Sequence, residues 1–465
     1  MKSIPMRLNS RAVSDRLIPH YRTKERIEMT TQNTSIDNLL SQIRSKMGST
    51  PIRDQSQSNA ILSLEAYVED YAEYALLQRI HSLYHRDSAL RNPYFQPRSG
   101  TVSSVLQIEN KDYVTFSNYN YLGLSNDARV KAAACEAIET YGTHAGAARM
   151  VGGEIELHRE LEQALAEFTG FEATAVAVGG YSTNVSAIGY LLDKRDLIIH
   201  DEYMHNSGVM GAVMSGAKRI AFPHNNMDAL KRLLEDNRSQ HRKTVILVEG
   251  AYSMDGDLIN LPAVVELKNQ FNAWLIIDEA HSCGTVGASG RGVCEHFNVP
   301  VSEVELIVGT LSKSFASCGG FLAGSKKLIE LLHHFCPGLL LYSTGISPAN
   351  AAAALAAVRI ATAEPERVTR LQNNAVLFKQ LAQQKGLDCR TCIPGVPIVP
   401  MMIEDEKALQ LMSLLLENQF IAHAVMHPVV PREAARLRCF ISADHEESQM
   451  IRMLDIIARE TSGNH

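Results

Sequence analysis

Two side chains suited to covalent catalysis follow short apolar segments of this sequence. Lys313 stands shortly after the segment Leu306–Val308, and Asp278 directly follows the segment Trp274–Ile277. A lysine that is partly desolvated beside another cation has a lowered pKa, so its neutral amine can form an imine and later transfer protons. A carboxylate at a neighbouring strand end can keep a pyridine nitrogen protonated. The ordinary alternatives are a solvated loop lysine and an aspartate that caps a helix.

A glycine pair supplies a third part of such a site. Gly179-Gly180-Tyr181 follows the apolar segment Ala173–Val178 and opens a predicted helix, so backbone amides and the positive helix end face an incoming phosphate. Many loops contain a glycine pair, but no GxGxxG for a dinucleotide and no GxxxxGK[ST] for a nucleoside triphosphate occurs here. The succession of glycine pair, Asp278 and Lys313 therefore predicts pyridoxal 5′-phosphate (PLP) as the cofactor.

His205 follows the next apolar segment after the glycine pair, Leu197–His200. An imidazole at this strand end can stack on the face of a cofactor ring and hydrogen-bond a substrate. A single histidine is more often a structural residue, so only its position after the glycine pair favours a functional role. We predict that Lys313, His205 and Asp278 are the catalytic residues.

Short apolar segments alternate with amphipathic helices, such as His158–Thr169, between residue 126 and about residue 341. The pattern predicts an α/β fold with a mostly parallel sheet, helices on both faces, and a site at the strand ends. Long helices and short strands after Pro348 predict a smaller α+β domain. We predict four regions: a mobile polar extension at 1–58, an N-terminal subdomain and hinge at 59–125, a large PLP-binding α/β domain at 126–345, and a C-terminal α+β domain at 346–465.

Composition and charge argue against nucleic-acid and membrane partners. The formal net charge is −6, and the longest apolar stretch, 351–363, is shorter than the ~20 residues that span a bilayer. The eight cysteines are scattered through mostly apolar runs, which is typical of reduced thiols in a cytoplasmic protein. Cys389 and Cys392 form a lone CxxC, for which we predict a surface loop and no metal.

From about Leu62 to the C-terminus the chain resembles the α-oxoamine synthases, a branch of the fold-type I PLP enzymes. Within that branch, Ser117–Gly123, His224–Met227 and Arg291–Phe297 most resemble serine palmitoyltransferase, an enzyme of sphingolipid biosynthesis. The motifs that resemble the whole branch are Val248-Glu249-Gly250-Ala251-Tyr252-Ser253-Met254-Asp255-Gly256-Asp257, Asp278-Glu279-Ala280-His281 and Gly309-Thr310-Leu311-Ser312-Lys313-Ser314.

The resemblance implies a role for each residue of the site. Lys313 would be joined covalently to PLP, Asp278 would pair with the ring nitrogen, His205 would stack on the ring, and His281 would hydrogen-bond the phenolic oxygen. The other implied cofactor-binding residues are Gly180, Tyr181, Thr310, Glu249, Ser253, Ser343 and Thr344. The last two would reach the phosphate of the partner subunit, which implies a homodimer with a shared active site.

The resemblance also implies a substrate pocket. Arg438 would hold the amino-acid carboxylate, a task that suits guanidinium, and Tyr119 and Ala148 would line the pocket. Ala148 replaces the threonine of glycine-specific relatives, which favours serine or alanine over glycine.

The implied reaction is a decarboxylating condensation of a small L-amino acid, with serine favoured, and a long-chain acyl thioester of CoA or acyl carrier protein. Its product would be an α-aminoketone of the 3-ketosphinganine type. Two alternatives stay open: an aminoketone synthase of another pathway that uses a carrier-protein thioester, and a non-catalytic subunit of a heterodimer. A non-catalytic subunit would be expected to lack Lys313.

Overall fold

The computed structural model describes residues 64–71, 73–75, 77–78, 81–82, 91–427, 429–431 and 433–461. The predicted polar extension, residues 1–58, lies outside the described residues. The chain divides into one unit up to Tyr71 and a second unit from Ala72 onward. The described part of the first unit contains the helix Leu64–Glu69 (α1). All other elements belong to the second unit.

A seven-stranded sheet forms the centre of the second unit, as the alternating pattern predicts. The strand order is β3-β9-β8-β7-β6-β4-β5, and every neighbouring pair is parallel except the two that involve β9. Central strands such as β6 are buried along their whole length, which suits their Val- and Ile-rich sequences. The strands are Ala173–Ala177 (β3), Leu197–Asp201 (β4), Lys218–Phe222 (β5), Thr244–Glu249 (β6), Trp274–Asp278 (β7), Leu306–Thr310 (β8) and Gly320–Gly324 (β9).

Helices cover this sheet because their apolar residues recur at helical spacing. In Glu156–Thr169, for example, Leu161, Leu165 and Phe168 are buried on one face. The helices of the second unit between residues 128 and 335 are Ala128–Tyr141 (α2), Glu156–Thr169 (α3), Gly180–Leu191 (α4), Asn206–Ser215 (α5), Met227–Asn237 (α6), Leu261–Gln270 (α7), Val293–His296 (α8) and Lys326–Phe335 (α9). The remaining helices are Pro348–Ala363 (α10), Glu366–Gln384 (α11), Ala408–Glu417 (α12) and Glu447–Thr461 (α13).

Two three-stranded sheets form the smaller part of this unit. β1 and β2 form a hairpin, and both residues of its turn, Glu109 and Asn110, have positive φ, as a tight hairpin turn requires. One sheet has the order β1-β2-β11 and the other β10-β13-β12. Their strands are Val105–Ile108 (β1), Lys111–Thr115 (β2), Ile398–Met402 (β10), Phe420–Ile421 (β11), His423–Val425 (β12) and Arg436–Phe440 (β13).

The N-terminal hairpin joins the C-terminal part of the chain. β11 pairs with β2 in parallel, with Phe420 opposite Val114. Phe116, after the hairpin, accepts a backbone hydrogen bond from Phe440 at the end of β13. Residues 105–116 therefore complete the sheet structure of the C-terminal part.

The CxxC motif lies in a loop, as predicted, and Asp388, Arg390 and Thr391 of that loop are exposed, but its two cysteine side chains are not. Cys389 and Cys392 are buried, at 3% and 2% exposure, in a hydrophobic cluster that also contains Cys439. The loop runs along the surface between α11 and β10, and only its cysteine side chains enter the cluster. Among the described residues, no group of three His, Cys, Asp or Glu side chains is arranged to hold a metal ion. None of the described helices is long and apolar enough to cross a membrane.

Candidate active site

Two buried carboxylates lie side by side at the carboxyl ends of the central strands. Glu249 ends β6 and Asp278 ends β7, and the two residues are direct partners in the sheet register. Their exposures are only 4% and 5%. Burial raises the pKa of Glu249 well above its usual range, and the charge of Asp278 adds to this effect. Glu249 is thus favoured in its neutral form beside Asp278.

Lys313 lies in the turn after β8, at the same edge of the sheet. Its amine is 5.4 Å from the centre of the Tyr119 ring. Burial lowers the pKa of Lys313 to about 8; Arg438 acts in the same direction, while Asp278 and Glu249 oppose it. A substantial fraction of this amine is therefore neutral near physiological pH, as a nucleophilic or proton-transferring lysine requires.

His205 caps the N-terminus of α5, directly after the β4 strand end. Its Nδ1 atom is 2.7 Å from Oγ of Ser207 and accepts from the Ser207 backbone N–H at 3.2 Å. Burial lowers the pKa of His205, with Lys313 and Arg438 acting in the same direction and Asp278 against them. The imidazole is therefore held neutral.

His281 lies one turn beyond Asp278. Its Nδ1 atom is hydrogen-bonded to the Tyr121 hydroxyl at 2.8 Å, and both side chains are buried. Burial lowers the pKa of His281 well below its usual value, and the nearby Lys313 and Arg438 add to this effect. The other ring nitrogen remains for a ligand.

The N-terminus of α4 packs closely against β8 and β9 at the position predicted to bind the phosphate. A Cβ atom on Gly180, the first residue of α4, would lie 3.0 Å from Oγ1 of Thr310, and one on Gly320 would lie 2.7 Å from the Gly180 Cα. Only glycine permits this approach, which leaves the N–H groups of Gly180 and Tyr181 at the helix N-terminus beside the Thr310 hydroxyl. These donors fit a phosphate, and the strand-end Asp278, Lys313 and His281 fit the ring of PLP.

Two arginines of β13 differ in their partners. Arg436 forms an ion pair with Asp255. Arg438 donates to the carbonyl oxygen of Ser253 at 3.3 Å and lies 4.7 Å from the centre of the Phe440 ring. No carboxylate among the described residues lies within ion-pair distance of Arg438. Its guanidinium, close enough to affect the pKa values of Lys313, His205 and His281, keeps its charge for a ligand.

Ala148, Ser343 and Thr344, three further predicted site residues, form a group of their own. Ala148 pairs with Thr344 in an isolated β-bridge. Thr344 is exposed and Ser343 is half-buried. Thr344 also borders a cavity of about 270 Å³ that includes His144 and Cys318. The contacts of the single chain join Tyr119, but not Ala148, to Lys313.

Sequence analysis missed Asn184 and Ser207, which lie among the predicted site residues. Asn184 donates from Nδ2 to the Asp278 carboxylate at 2.7 Å and to the Ser207 hydroxyl at 3.0 Å. Asn184 lies one helical turn after Gly180, so it faces the same strand ends as the phosphate cradle. That spacing was the available signal, because residues four apart share a helix face.

Comparisons with known proteins agree with this geometry. A profile described as aminotransferase class I and II matches residues 111–457. The 8-amino-7-oxononanoate synthase of Alkaliphilus metalliredigens is 36% identical over 77% of this chain and 90% of its own length. The enzyme of the same name from Geobacter sulfurreducens is 39% identical over 78% of this chain and 92% of its own length.

A solved structure supports both the fold and the cofactor. The serine palmitoyltransferase of S. paucimobilis, a variant with a PLP–myriocin adduct bound, matches with a TM-score of 0.79 and 28% identity. The match covers 86% of this chain and 98% of that one. The two sequence relatives named above are 8-amino-7-oxononanoate synthases, and this solved structure is a serine palmitoyltransferase. A solved 8-amino-7-oxononanoate synthase from Francisella tularensis also matches in fold, with a TM-score of 0.66 and 24% identity. The predicted preference for serine palmitoyltransferase is not decided by these matches.

Proposed function

This chain belongs to the aminotransferase class I and II family and, within it, to the PLP-dependent α-oxoamine synthases, and from that premise we propose that its amino-acid substrate is alanine. The enzyme condenses a small amino acid with an acyl thioester and releases carbon dioxide. We propose a thioester of CoA or acyl carrier protein and a pathway other than sphingolipid biosynthesis. This is the predicted alternative of an aminoketone synthase of another pathway.

The chemistry of the relatives' product supports alanine. In 8-amino-7-oxononanoate the amine stands next to the ketone, so the molecule is itself an α-aminoketone. The carbon that bears the amine also bears a methyl group, which is the side chain of alanine. At 36% and 39% identity over most of both chains, these relatives are the better guide to the substrate.

The observation that carries the proposal is that Arg438, which has no carboxylate within ion-pair distance among the described residues, lies near an amine whose pKa is about 8. A guanidinium without a protein carboxylate is suited to bind the carboxylate of an amino acid in two parallel hydrogen bonds. Lys313 would hold PLP before the substrate binds, and afterwards its neutral amine is placed to remove the substrate's Cα proton. Bound PLP supplies the electron sink, and Asp278 supplies the carboxylate for its ring nitrogen.

The surroundings of Lys313 favour a small side chain. The Tyr119 ring lies 4.8 Å from the Phe440 ring and 5.7 Å from His281, measured between ring centres. These aromatic rings stand beside the lysine amine and restrict the room for a bulky substrate. We extend the proposal to the phosphate: the amides of Gly180 and Tyr181 and the Thr310 hydroxyl bind it, and His281 contacts the phenolic oxygen.

We propose a homodimer in which Ser343 and Thr344 complete the phosphate site of the partner. Thr344 is exposed in the single chain, and the adjacent Tyr342 is 80% exposed. An exposed tyrosine of this size beside a polar pair is expected at a contact with another copy. Sedimentation of the PLP-loaded enzyme should give twice the chain mass; a monomer that retains full turnover would contradict the shared site.

The substrate test measures carbon dioxide and free thiol with alanine, serine and glycine, each combined with CoA and carrier-protein thioesters of several chain lengths. Alanine should give the highest kcat/KM, and loss of its methyl group in glycine should lower that value about 10- to 100-fold. In the matched pair of variants, Arg438→Leu should raise the KM for alanine about 10- to 100-fold without weakening PLP binding. Arg436→Leu should instead lower the melting temperature.

Serine with a long-chain acyl-CoA is the second candidate, because the fold matches a serine palmitoyltransferase over most of both chains. A kcat/KM for serine above that for alanine would replace the proposal with this candidate. Turnover with neither amino acid, in a preparation fully loaded with PLP, would contradict both.

A further inference from the structure

Four polar side chains form a continuous hydrogen-bond chain from Asp278 to His205. The Asp278 carboxylate accepts from Nδ2 of Asn184 at 2.7 Å, and the same nitrogen is 3.0 Å from Oγ of Ser207. Oγ of Ser207 is in turn 2.7 Å from Nδ1 of His205. These hydrogen bonds link the end of β7, the α4 residue one turn after Gly180, and the start of α5. Asn184 and Ser207 therefore connect the two residues that flank the cofactor ring.

The direction of each hydrogen bond follows from the first residue. As a carboxylate, Asp278 can only accept, so Asn184 must point its amide nitrogen toward it. The second hydrogen of that nitrogen goes to Oγ of Ser207, which therefore accepts from Asn184. The Ser207 hydroxyl hydrogen is then directed at Nδ1 of His205, where the Ser207 backbone N–H also donates at 3.2 Å. With two donors pointing at Nδ1, the proton of the neutral ring must be on Nε2.

Burial makes this arrangement specific. Asn184, Ser207 and Asp278 are exposed by only 3%, 1% and 5%. Within the described part of the chain, Oδ1 of Asn184 is buried without a hydrogen-bond partner. An unpaired buried oxygen is unfavourable, so the two donor hydrogens of this amide, rather than its oxygen, account for the residue at this position.

We propose that Asn184 and Ser207 are positioning residues that hold His205 as its Nε2–H tautomer and couple that tautomer to the Asp278 carboxylate. The ring then presents Nε2–H as a hydrogen-bond donor and has no lone pair free on Nδ1. His205 acts on the substrate only as a donor to an oxygen atom, and proton removal is left to Lys313. The statement about the substrate rests on the proposed function, whereas the tautomer does not depend on it.

The charged and titratable groups around His205 do not replace this control. Asp278, Lys313 and Arg438 act on the ring through their charges. Glu249 accepts a hydrogen bond from the His205 backbone N–H. The centre of the Tyr181 ring lies 6.3 Å from that of His205, in a T-shaped arrangement. Within the described residues, the hydrogen bonds to Nδ1 come from Ser207. Ser207 is therefore the residue that sets the tautomer of His205.

The direct test is the ¹⁵N NMR spectrum of His205 in deuterated, histidine-labelled enzyme, assigned by comparison with His205→Gln. In the PLP-loaded wild type, Nδ1 should resonate as an unprotonated nitrogen and Nε2 as a protonated one. Ser207→Ala should bring the two shifts together, because both tautomers become populated. Ser207→Thr, which keeps the hydroxyl, should restore the wild-type pattern. Ser215→Ala, a hydroxyl at the other end of α5 that donates to the Ala212 carbonyl, is the matched control.

Kinetics supplies a second measurement. Loss of a donor to Nδ1 destabilises the neutral ring, so the pKa of His205 rises in Ser207→Ala and the acid limb of the kcat/KM profile moves to higher pH. Turnover should fall about 10-fold with little change in the KM for the amino acid. Asn184→Leu should change the His205 spectrum in the same way and also weaken PLP binding, because Asp278 loses a donor.

Unchanged Nδ1 and Nε2 shifts in folded, PLP-loaded Ser207→Ala would overturn the proposal, as would a wild-type enzyme with its proton on Nδ1. Both readings are made without substrate. An error in the proposed amino acid or thioester would leave them as expected, so the two proposals fail separately.

Discussion

His205 and His224 follow neighbouring strands of the same sheet but are held in opposite charge states. His205 meets only hydroxyl and N–H groups at Nδ1, and burial lowers its pKa. His224 lies between two carboxylates, with Nδ1 at 2.9 Å from Asp201 and Nε2 at 2.7 Å from Asp257. Burial alone would lower the pKa of His224, but these two bridges raise it to about 10. Burial lowers the pKa of both rings, and carboxylate partners overcome that effect only at His224.

The two regions also serve different ends. The Asp201–His224–Asp257 cluster joins the ends of β4 and β5 to the loop 252–257, and the Tyr203 ring stacks on His224 at 4.4 Å between ring centres. That loop pairs with Arg436 through Asp255 and receives the hydrogen bond of Arg438. The cluster is thus a structural clamp, whereas the His205 region is the one for which we propose a chemical role. Variants should therefore separate stability from turnover.

The largest effect should come from the chemical region. Lys313→Ala removes both the amine that would hold PLP and the base, so turnover should fall by about 10³-fold or more. The melting temperature should change little, because the lost amine has no carboxylate within ion-pair distance among the described residues. Carbon dioxide release measures turnover, and thermal unfolding measures the melting temperature. Lys326→Ala, at the exposed start of α9, is the control, and substantial turnover in Lys313→Ala would remove the distinction.

The clamp should show the reverse pattern. Asp201→Asn leaves a buried imidazolium with one carboxylate fewer, which should lower the free energy of unfolding by about 3 kcal/mol. Asp201 is fully buried, so solvent cannot replace its charge. Urea unfolding measures the loss, and Asp193→Asn, in a surface ion pair with Arg195, is the control. Equal losses in both variants would show that the clamp contributes nothing specific.

The pH dependence of stability tests the charge of His224. Its pKa is raised to about 10 in the folded chain, from about 6.5 unfolded. The stabilisation is therefore fully present below pH 6.5 and is lost as the pH rises through 10. His224→Gln should cost about 2 kcal/mol at pH 6, after allowance for solvent screening, and progressively less toward pH 10. A difference from wild type that grows with pH would contradict the doubly bridged imidazolium.

The smallest expected effect concerns Lys313, whose pKa is lowered by burial. With a pKa of about 8, the neutral fraction of the amine, and hence the rate of PLP capture by the apoenzyme, should rise about tenfold between pH 7 and pH 9 and then level off. An ordinary lysine would keep gaining rate up to about pH 10.4. Absorbance of the bound cofactor follows the reaction, and a continued rise above pH 9 would show that the amine is not desolvated.

The sequence was sufficient to predict the strand-end residues but not their connections. Lys313, Asp278, His205 and Gly180 follow apolar segments, and parallel strands bring their carboxyl ends to one edge. Asn184 was missed because its partner Asp278 lies 94 residues away in sequence. β9 was missed because Gly320 and Gly324 remove the usual strand signal, although all five of its residues are buried.

Burial of the two CxxC side chains could not be predicted either, because the sequence of a turn does not show which residues pack against it. The pattern around Cys389 and Cys392 predicts an exposed connection, which it is, but it does not show that the two cysteine side chains pack into the cluster below. The three-stranded arrangement of β2 with β11 depends on residues about 300 positions apart, for which local propensity contains no information.

That pairing of β2 with β11 affects the order in which the protein is made. A ribosome releases the whole seven-stranded sheet before it reaches Phe420, so the larger sheet can close during synthesis while the hairpin edge at Val114 stays unmatched. An unmatched strand edge invites association with other chains. The late closure of this long loop should therefore be the slow step of maturation and the stage at which the nascent enzyme most needs protection by chaperones.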